Sequence, residues 1–159
     1  MRAAVLTISD RVSRDAVEDR SGDALDELLR VDGYEVTRRV VPDEAGLIAA
    51  SIRMLAADSE LVLTTGGTGV APRDVTPEAT RSVLEREVPG IPEALRRDSA
   101  AKTPHGLLSR GLAGIAGGTL VVNLPGSPGG CRDGYAVLRP VLPHALALLA
   151  DRPTDHVQT

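Results

Sequence analysis

Three short apolar runs constrain the fold more than any other feature: "AAVLTIS" (3–9), "ELVLTT" (60–65) and "TLVVNL" (119–124). Each is strand-length rather than helix-length. The run at 60–65 is apolar on both faces, and that at 119–124 is equally suited to burial, the habit of strands in a parallel sheet. Longer helical patterns separate them. Strand-crossover-strand units of this kind predict an α/β fold: a central, mostly parallel sheet with helices on both faces.

The remaining elements follow from local signals. "GDALDELLRVDG" (22–33) has apolar residues at helical spacing and closes on Gly33, a C-cap residue. "YEVTRRVV" (34–41) reads as a second strand. "DEAGLIAASIRMLAAD" (43–58) reads as a helix with Asp43 as its cap. "TPEATRSVLERE" (76–87) offers Thr76 as N-cap and Pro77 in the first turn. A further helix is expected over 89–102. The stretch 106–118 is part helix and part strand, with Gly117-Gly118 as a turn. The segment 131–150 predicts one long apolar helix kinked near Pro140 and Pro143. One domain is expected over 1–150, followed by a polar tail over 151–159.

Composition bounds the chemistry. With 159 residues, 42% hydrophobic and 25% charged, the chain has material for one full core. It has no Phe or Trp and two Tyr, so a flat ring bound here is not held by aromatic stacking. A net charge of −4 argues against a nucleic-acid surface. No run has the length of a membrane helix. The lone cysteine, Cys131, excludes an internal disulfide and fits a reducing compartment; with no signal-peptide pattern at the N-terminus, a cytoplasmic protein is expected. Positive charge is carried by Arg, since Lys102 is the sole lysine.

Unusual residues cluster just past the predicted strands: Ser9-Asp10, Pro42-Asp43, Thr65 to Gly69, and Pro125 to Ser127. In an open parallel sheet the C-terminal strand ends share one edge, where ligands bind. "TTGGTG" (64–69) can wrap backbone N–H groups around an anion, because Gly66, Gly67 and Gly69 allow close approach and positive φ. It is neither a Walker A loop nor G-x-G-x-x-G. Thr65, Thr68 and Arg73 would then assist the backbone. A lone glycine cluster is more often a plain turn; "PGSP" (125–128) at another strand end favours a site. Asp43 and Asp74 are the candidate metal carboxylates, and oxygen ligands on loops suit Mg²⁺ bridging to phosphates. Asp43 alone reads more simply as a helix cap; Asp74 lacks that alternative because Thr76 is placed to cap. Asp10 can serve either role. Cys131 reads as a small buried residue, His105, His144 and His156 have no metal-ligand spacing, and no G-x-S-x-G elbow is present.

"TTGGTG", "RDVTPEAT" (73–80), "LSR" (108–110) and "NLPGSP" (123–128) together resemble the molybdopterin-binding family of MogA and MoaB proteins, whose fold recurs in the gephyrin G domain. The resemblance runs from "ISDR" (8–11) to the last helix. It implies a three-layer α/β fold, a homotrimer, and binding of molybdopterin, a phosphorylated pterin dithiolene. It implies, for MogA-type members, Mg-ATP as co-substrate and transfer of AMP to the pterin's terminal phosphate, and other molybdenum cofactor biosynthesis proteins as possible partners. It further implies that Asp43 and Asp74 are catalytic and Mg-linked. Gly66, Gly67, Thr68 and Gly69 then match the anion loop, Ser109 and Arg110 the pterin side, and Pro125, Gly126 and Ser127 a phosphate-facing loop. Arg11, Arg73 and Arg110 are expected to supply local positive charge. "PGGCRDGY" (128–135) is closer to MoaB-type chains, so a molybdopterin-binding scaffold without turnover stays open, as does a nucleotide-binding regulator on the same fold.

Overall fold

The structure, a computed structural model, describes residues 1–151. Its strands are β1 (Arg2–Ile8), β2 (Glu35–Val41), β3 (Leu61–Thr65), β4 (Arg86–Glu87), β5 (Ala113–Ala116) and β6 (Thr119–Leu124). Its helices are α1 (Asp10–Ser13), α2 (Arg20–Val31), α3 (Ala45–Asp58), α4 (Thr76–Arg81), α5 (Gly90–Lys102), α6 (Pro128–Leu138) and α7 (Leu142–Leu149), with a 3₁₀ turn at Pro104–Leu108.

The six strands form one sheet in the order β2-β1-β3-β6-β5-β4. The pairs β1–β2, β1–β3 and β3–β6 are parallel, and β5–β6 and β4–β5 antiparallel. The three apolar runs are therefore direct neighbours, as their composition predicts. Alternate residues of a strand face opposite sides, and each side has its own helices. Val5, Leu63 and Val122 pack with Leu25 and Leu29 of α2 and Tyr135 and Leu138 of α6. Leu6, Val62 and Val121 pack with Ile48 and Ile52 of α3 and Ala79 of α4. The result is three layers. The chain leaves β1 for β2 on one side and then returns to β3 on the other, so strand order reverses at the β1/β3 edge. That reversal opens a crevice beyond the carboxyl ends of the strands.

Several local expectations are corrected. Asp43 does not cap α3: Glu44 holds the N-cap position without a side-chain bond, and Asp43 bonds elsewhere. Thr76 is not an N-cap either. It lies inside α4, preceded by Val75, and its hydroxyl donates to Gly66 O at 2.9 Å. Helix 76–87 stops at Arg81, because Glu85 N and Val88 N bond Ile115 O and Ala113 O at 2.8 Å, pulling 85–88 onto the sheet edge. Helix 131–150 is two helices, broken at Arg139–Val141 beside Pro140. The first begins at Pro128 with Ser127 as cap. Helix 22–33 begins at Arg20, capped by Asp19 through Gly22 N, and Gly33 follows its end at φ 83°. The 106–118 stretch resolves into the 3₁₀ turn and β5, with Gly117-Gly118 as the β5–β6 hairpin turn. No helix among the described residues is long and apolar enough to cross a membrane. Most of the tail, 152–159 with His156, lies outside the described residues.

Candidate functional site

The glycine loop leaves β3 directly into the crevice. Gly66 and Gly67 sit at φ 102° and 65°, a region open to glycine. A Cβ on Gly66 would strike Ile8 O, and one on Gly67 would strike the Thr76 hydroxyl and lie 3.1 Å from Asp43 Oδ1. The four loop carbonyls all turn toward the protein. Gly66 O accepts from Thr76 Oγ1 (2.9 Å), Gly67 O from Thr76 N (3.1 Å), Thr68 O from Arg110 N (2.8 Å) and Gly69 O from Arg110 Nε (2.7 Å). Gly66 N donates to Leu124 O at 3.3 Å. The N–H groups of Gly67, Thr68 and Gly69 donate to no acceptor among the described residues. Carbonyls tied back and consecutive amides left open make the kind of concavity that can receive an anion.

Three carboxylates border it. Asp10 and Asp43 exchange bonds across the β1 and β2 ends: Asp10 N donates to Asp43 Oδ2 (2.9 Å), and Asp43 N to Asp10 Oδ1 (3.1 Å). Arg73 closes on Asp10 with two contacts, Nε to Oδ2 at 2.5 Å and a terminal nitrogen to Oδ1 at 3.0 Å, and reaches Asp43 O at 3.3 Å. The guanidinium holds the Asp10 carboxyl below its ordinary pKa. Burial pushes the Asp43 carboxyl the other way, with the charges of Asp10 and Asp74 adding to it and the Asp10 N–H opposing. Asp74 Oδ2 accepts from Ala71 N at 3.0 Å, so this residue does have a structural bond. It lies directly under Gly69, where an added Cβ would be 2.8 Å from Oδ2.

Asp43 Oδ1 and Asp74 Oδ1 accept no hydrogen bond among the described residues. No group of three or more His, Cys, Asp or Glu able to hold a metal forms among those residues. Two carboxylates with spare oxygens beside an anion concavity do not make an all-protein cage. They suit Mg²⁺, which keeps several waters and bridges to phosphate.

The other expected residues divide. Ser9 caps α1 through Val12 N (3.2 Å), and Ser127 caps α6 through Gly130 N (3.1 Å), so both hydroxyls already serve helix starts at the crevice. Thr65 is fully buried and donates to Pro125 O at 2.7 Å, tying the glycine loop's strand to the "PGSP" loop rather than facing the crevice. Gly126 packs on Gly66: a Cβ there would lie 3.2 Å from Gly66 Cα. Thr68 is buried, contributing its backbone. Ser109 accepts from Gly111 N at 3.3 Å and shares a small pocket with Pro125 and Arg96. Of the three arginines expected to supply positive charge, Arg73 and Arg110 are engaged by protein acceptors. Arg11 is exposed and has no side-chain partner among the described residues.

Sequence reasoning missed Asn123 and Glu78. Asn123 donates to the hydroxyls of Thr64 (2.9 Å) and Thr80 (3.0 Å) and accepts from Leu112 N (3.1 Å), which pins α4 and the 109–112 segment to the sheet. Its signal was an amide inside the apolar run "TLVVNL". Glu78 pairs with Arg110 and carried no signal beyond its place in the first turn of a helix.

Comparison with known proteins agrees with this geometry. The family described as "Probable molybdopterin binding domain" matches residues 4–144. The chain is 44% identical over 151 residues to the molybdenum cofactor synthesis protein cinnamon of Drosophila melanogaster, covering 92% of this chain and 25% of that protein. It is 39% identical over 150 residues to a molybdopterin adenylyltransferase of Helicobacter pylori, covering 91% and 85%. It superposes on the crystal structure of the molybdopterin biosynthesis enzyme MoaB from Thermus thermophilus with a TM-score of 0.88 and 46% identity, covering 97% and 99%. The chain spans about half or less of the first curated relatives it matches. The family match over residues 4–144, with relatives at 39–46% identity aligned over more than nine-tenths of this chain, places the chain in the family of probable molybdopterin binding domains.

Proposed function

We propose that this protein is a molybdopterin adenylyltransferase of molybdenum cofactor biosynthesis. In this reaction an oxygen of the pterin's terminal phosphate attacks the α-phosphorus of ATP, a new P–O bond forms, and pyrophosphate leaves. The observation that carries the reading is the glycine loop: its carbonyls are bound from behind, and the amides of Gly67, Thr68 and Gly69 are open beside Asp43 and Asp74. Two polyanions must meet, so their repulsion has to be offset and their phosphates aligned; catalysis is then mostly positioning and electrostatics. The open amides bind and orient phosphate oxygens at no reorganisation cost. Asp43 and Asp74 are the residues that would hold Mg²⁺, which when bound neutralises phosphate charge. With no Phe or Trp in the chain, the pterin is held by hydrogen bonds and aliphatic contacts, with Ser109 and the Pro125–Ser127 loop on its side. The working protein is a cytoplasmic homotrimer, a state that sedimentation equilibrium reads directly.

The test is turnover. Purified protein with molybdopterin and Mg-ATP should yield adenylylated pterin and pyrophosphate in equal amounts. A second reading, a MoaB-type molybdopterin binder without turnover, draws support from "PGGCRDGY" and from the likeness to the Thermus protein. Molybdopterin binding without pyrophosphate release would select it.

A further inference from the structure

Arg110 is joined to the site by four bonds, and none points into the crevice. Its N–H donates to Thr68 O (2.8 Å), its Nε to Gly69 O (2.7 Å), one terminal nitrogen to Asp74 O (2.6 Å), and the other to Glu78 Oε1. The guanidinium thus spans both ends of the segment that runs from the open amides to Asp74. Glu78 supplies the fixed point. It sits in the first turn of α4, where a carboxylate suits the helix N-terminus, and α4 is anchored through Thr80 to the buried Asn123. The pairing holds the Glu78 carboxyl below its ordinary pKa.

We propose that Glu78 and Arg110 form a clamp behind the glycine loop that keeps its amides forward and fixes Asp74, so that both act as positioning residues rather than phosphate ligands. The inference rests on the adenylyltransferase reading for its effect on catalysis, but not for the clamp itself. With two planar donors on backbone carbonyls and one on a carboxylate, the guanidinium has a fork geometry that an ammonium does not reproduce. If Arg110 instead served as a phosphate ligand, Glu78 would be a competing anion beside a polyanion site. The two roles therefore predict opposite signs when the Glu78 charge is removed.

The experiment compares Glu78→Gln and Arg110→Lys with the parent. Both keep size and polarity, and Gln is tolerated in the first turn of a helix. Mg-ATP affinity is read by calorimetry, kcat and KM are read separately, and backbone amide exchange is followed over 66–80 and 106–112. The clamp predicts weaker Mg-ATP binding in Glu78→Gln, by fivefold or more, despite the loss of a repelling charge. It predicts a fall in kcat in both variants, and faster exchange at Ala71, Asp74 and Arg110 with the sheet unchanged. Unchanged or tighter Mg-ATP binding in Glu78→Gln would overturn it. If the parent binds no Mg-ATP, the adenylyltransferase reading fails, and amide exchange decides the clamp alone: faster exchange confined to those segments supports it, and parental exchange refutes it.

Discussion

Gly69→Ala is the cleanest way to move one carboxylate without straining the backbone. Unlike Gly66 and Gly67, Gly69 does not occupy positive φ, so alanine is conformationally allowed. The new Cβ would lie 2.8 Å from Asp74 Oδ2, roughly half an ångström inside ordinary van der Waals contact. The backbone of residue 69 is held through its carbonyl by Arg110, so the carboxylate is the part that yields. In yielding it gives up the bond from Ala71 N. Losing that exposed bond costs about 1 kcal/mol, which lowers Tm by about 2–4 °C in a chain of this size. The effect on catalysis is larger. A misplacement of about 1 Å can cost about 100-fold, so half of that predicts a drop of roughly tenfold in kcat, about 1.4 kcal/mol. Gly118→Ala, with open space around its Cβ, is the matched control. The assay is steady-state adenylylation of molybdopterin with Mg²⁺ titrated at saturating ATP, beside thermal melts. A folded Gly69→Ala protein with parental kcat and parental Mg²⁺ dependence would refute the placement of Asp74 at the reaction centre.

Asp74→Asn keeps an oxygen able to accept from Ala71 N, so it should melt near the parent and still bind pterin while losing about 3 kcal/mol of transition-state stabilisation, read in single-turnover AMP transfer. Asp43 differs in its effect on stability. Its pKa is raised by burial, so its ionised form is disfavoured by folding, and Asp43→Asn should melt at or above the parental temperature at neutral pH while losing activity. In the metal-free protein the raised Asp43 pKa makes stability fall as pH rises from the ordinary aspartate range through the raised value, and Asp43→Asn should remove that fall, read as Tm against pH. Cys131 is fully buried, its thiol is pushed up to about 11 by burial, and it donates to Pro125 O at 3.2 Å, so iodoacetamide at pH 8 should modify it only after denaturation, as mass spectrometry will read.

The sheet was legible because burial on both faces leaves a strong composition mark, and the runs at 3–9, 60–65 and 119–124 are adjacent strands. The crevice was legible for the same reason: polar and glycine residues ending these three runs and β2 converge once the four strands are parallel. What failed was local capping chemistry. Thr76 and Asp43 have the residue types of N-caps, but both side chains are claimed by tertiary partners, Gly66 O and Asp10 N. Residues 82–87 carry a helical pattern, yet backbone bonds to Ala113 and Ile115 outcompete the last turns. Arg110 stood out in the sequence as part of "LSR", but its contacts with Gly69 O and Asp74 O join segments 41 and 36 residues apart and left no local pattern.

A net charge of −4 and the proposed site for two polyanions are compatible because the relevant field is local. The local balance is unusual in that arginines contribute little of it directly. Arg73 is spent on Asp10, and Arg110 on backbone carbonyls and Glu78. On the proposed reading, what would face the phosphates is a row of peptide amides whose own carbonyls are satisfied from behind. An amide left without a partner away from water costs free energy, and so do carboxylates that crowd one another during desolvation. Once substrates exclude water from the proposed site, both costs would be avoided together by a phosphate on the amides and a cation on Asp43 and Asp74. Neither ligand alone relieves both. The fold thus uses rigid backbone where a flexible lysine or arginine would lose side-chain entropy on binding, and it keeps its arginines to hold that backbone still.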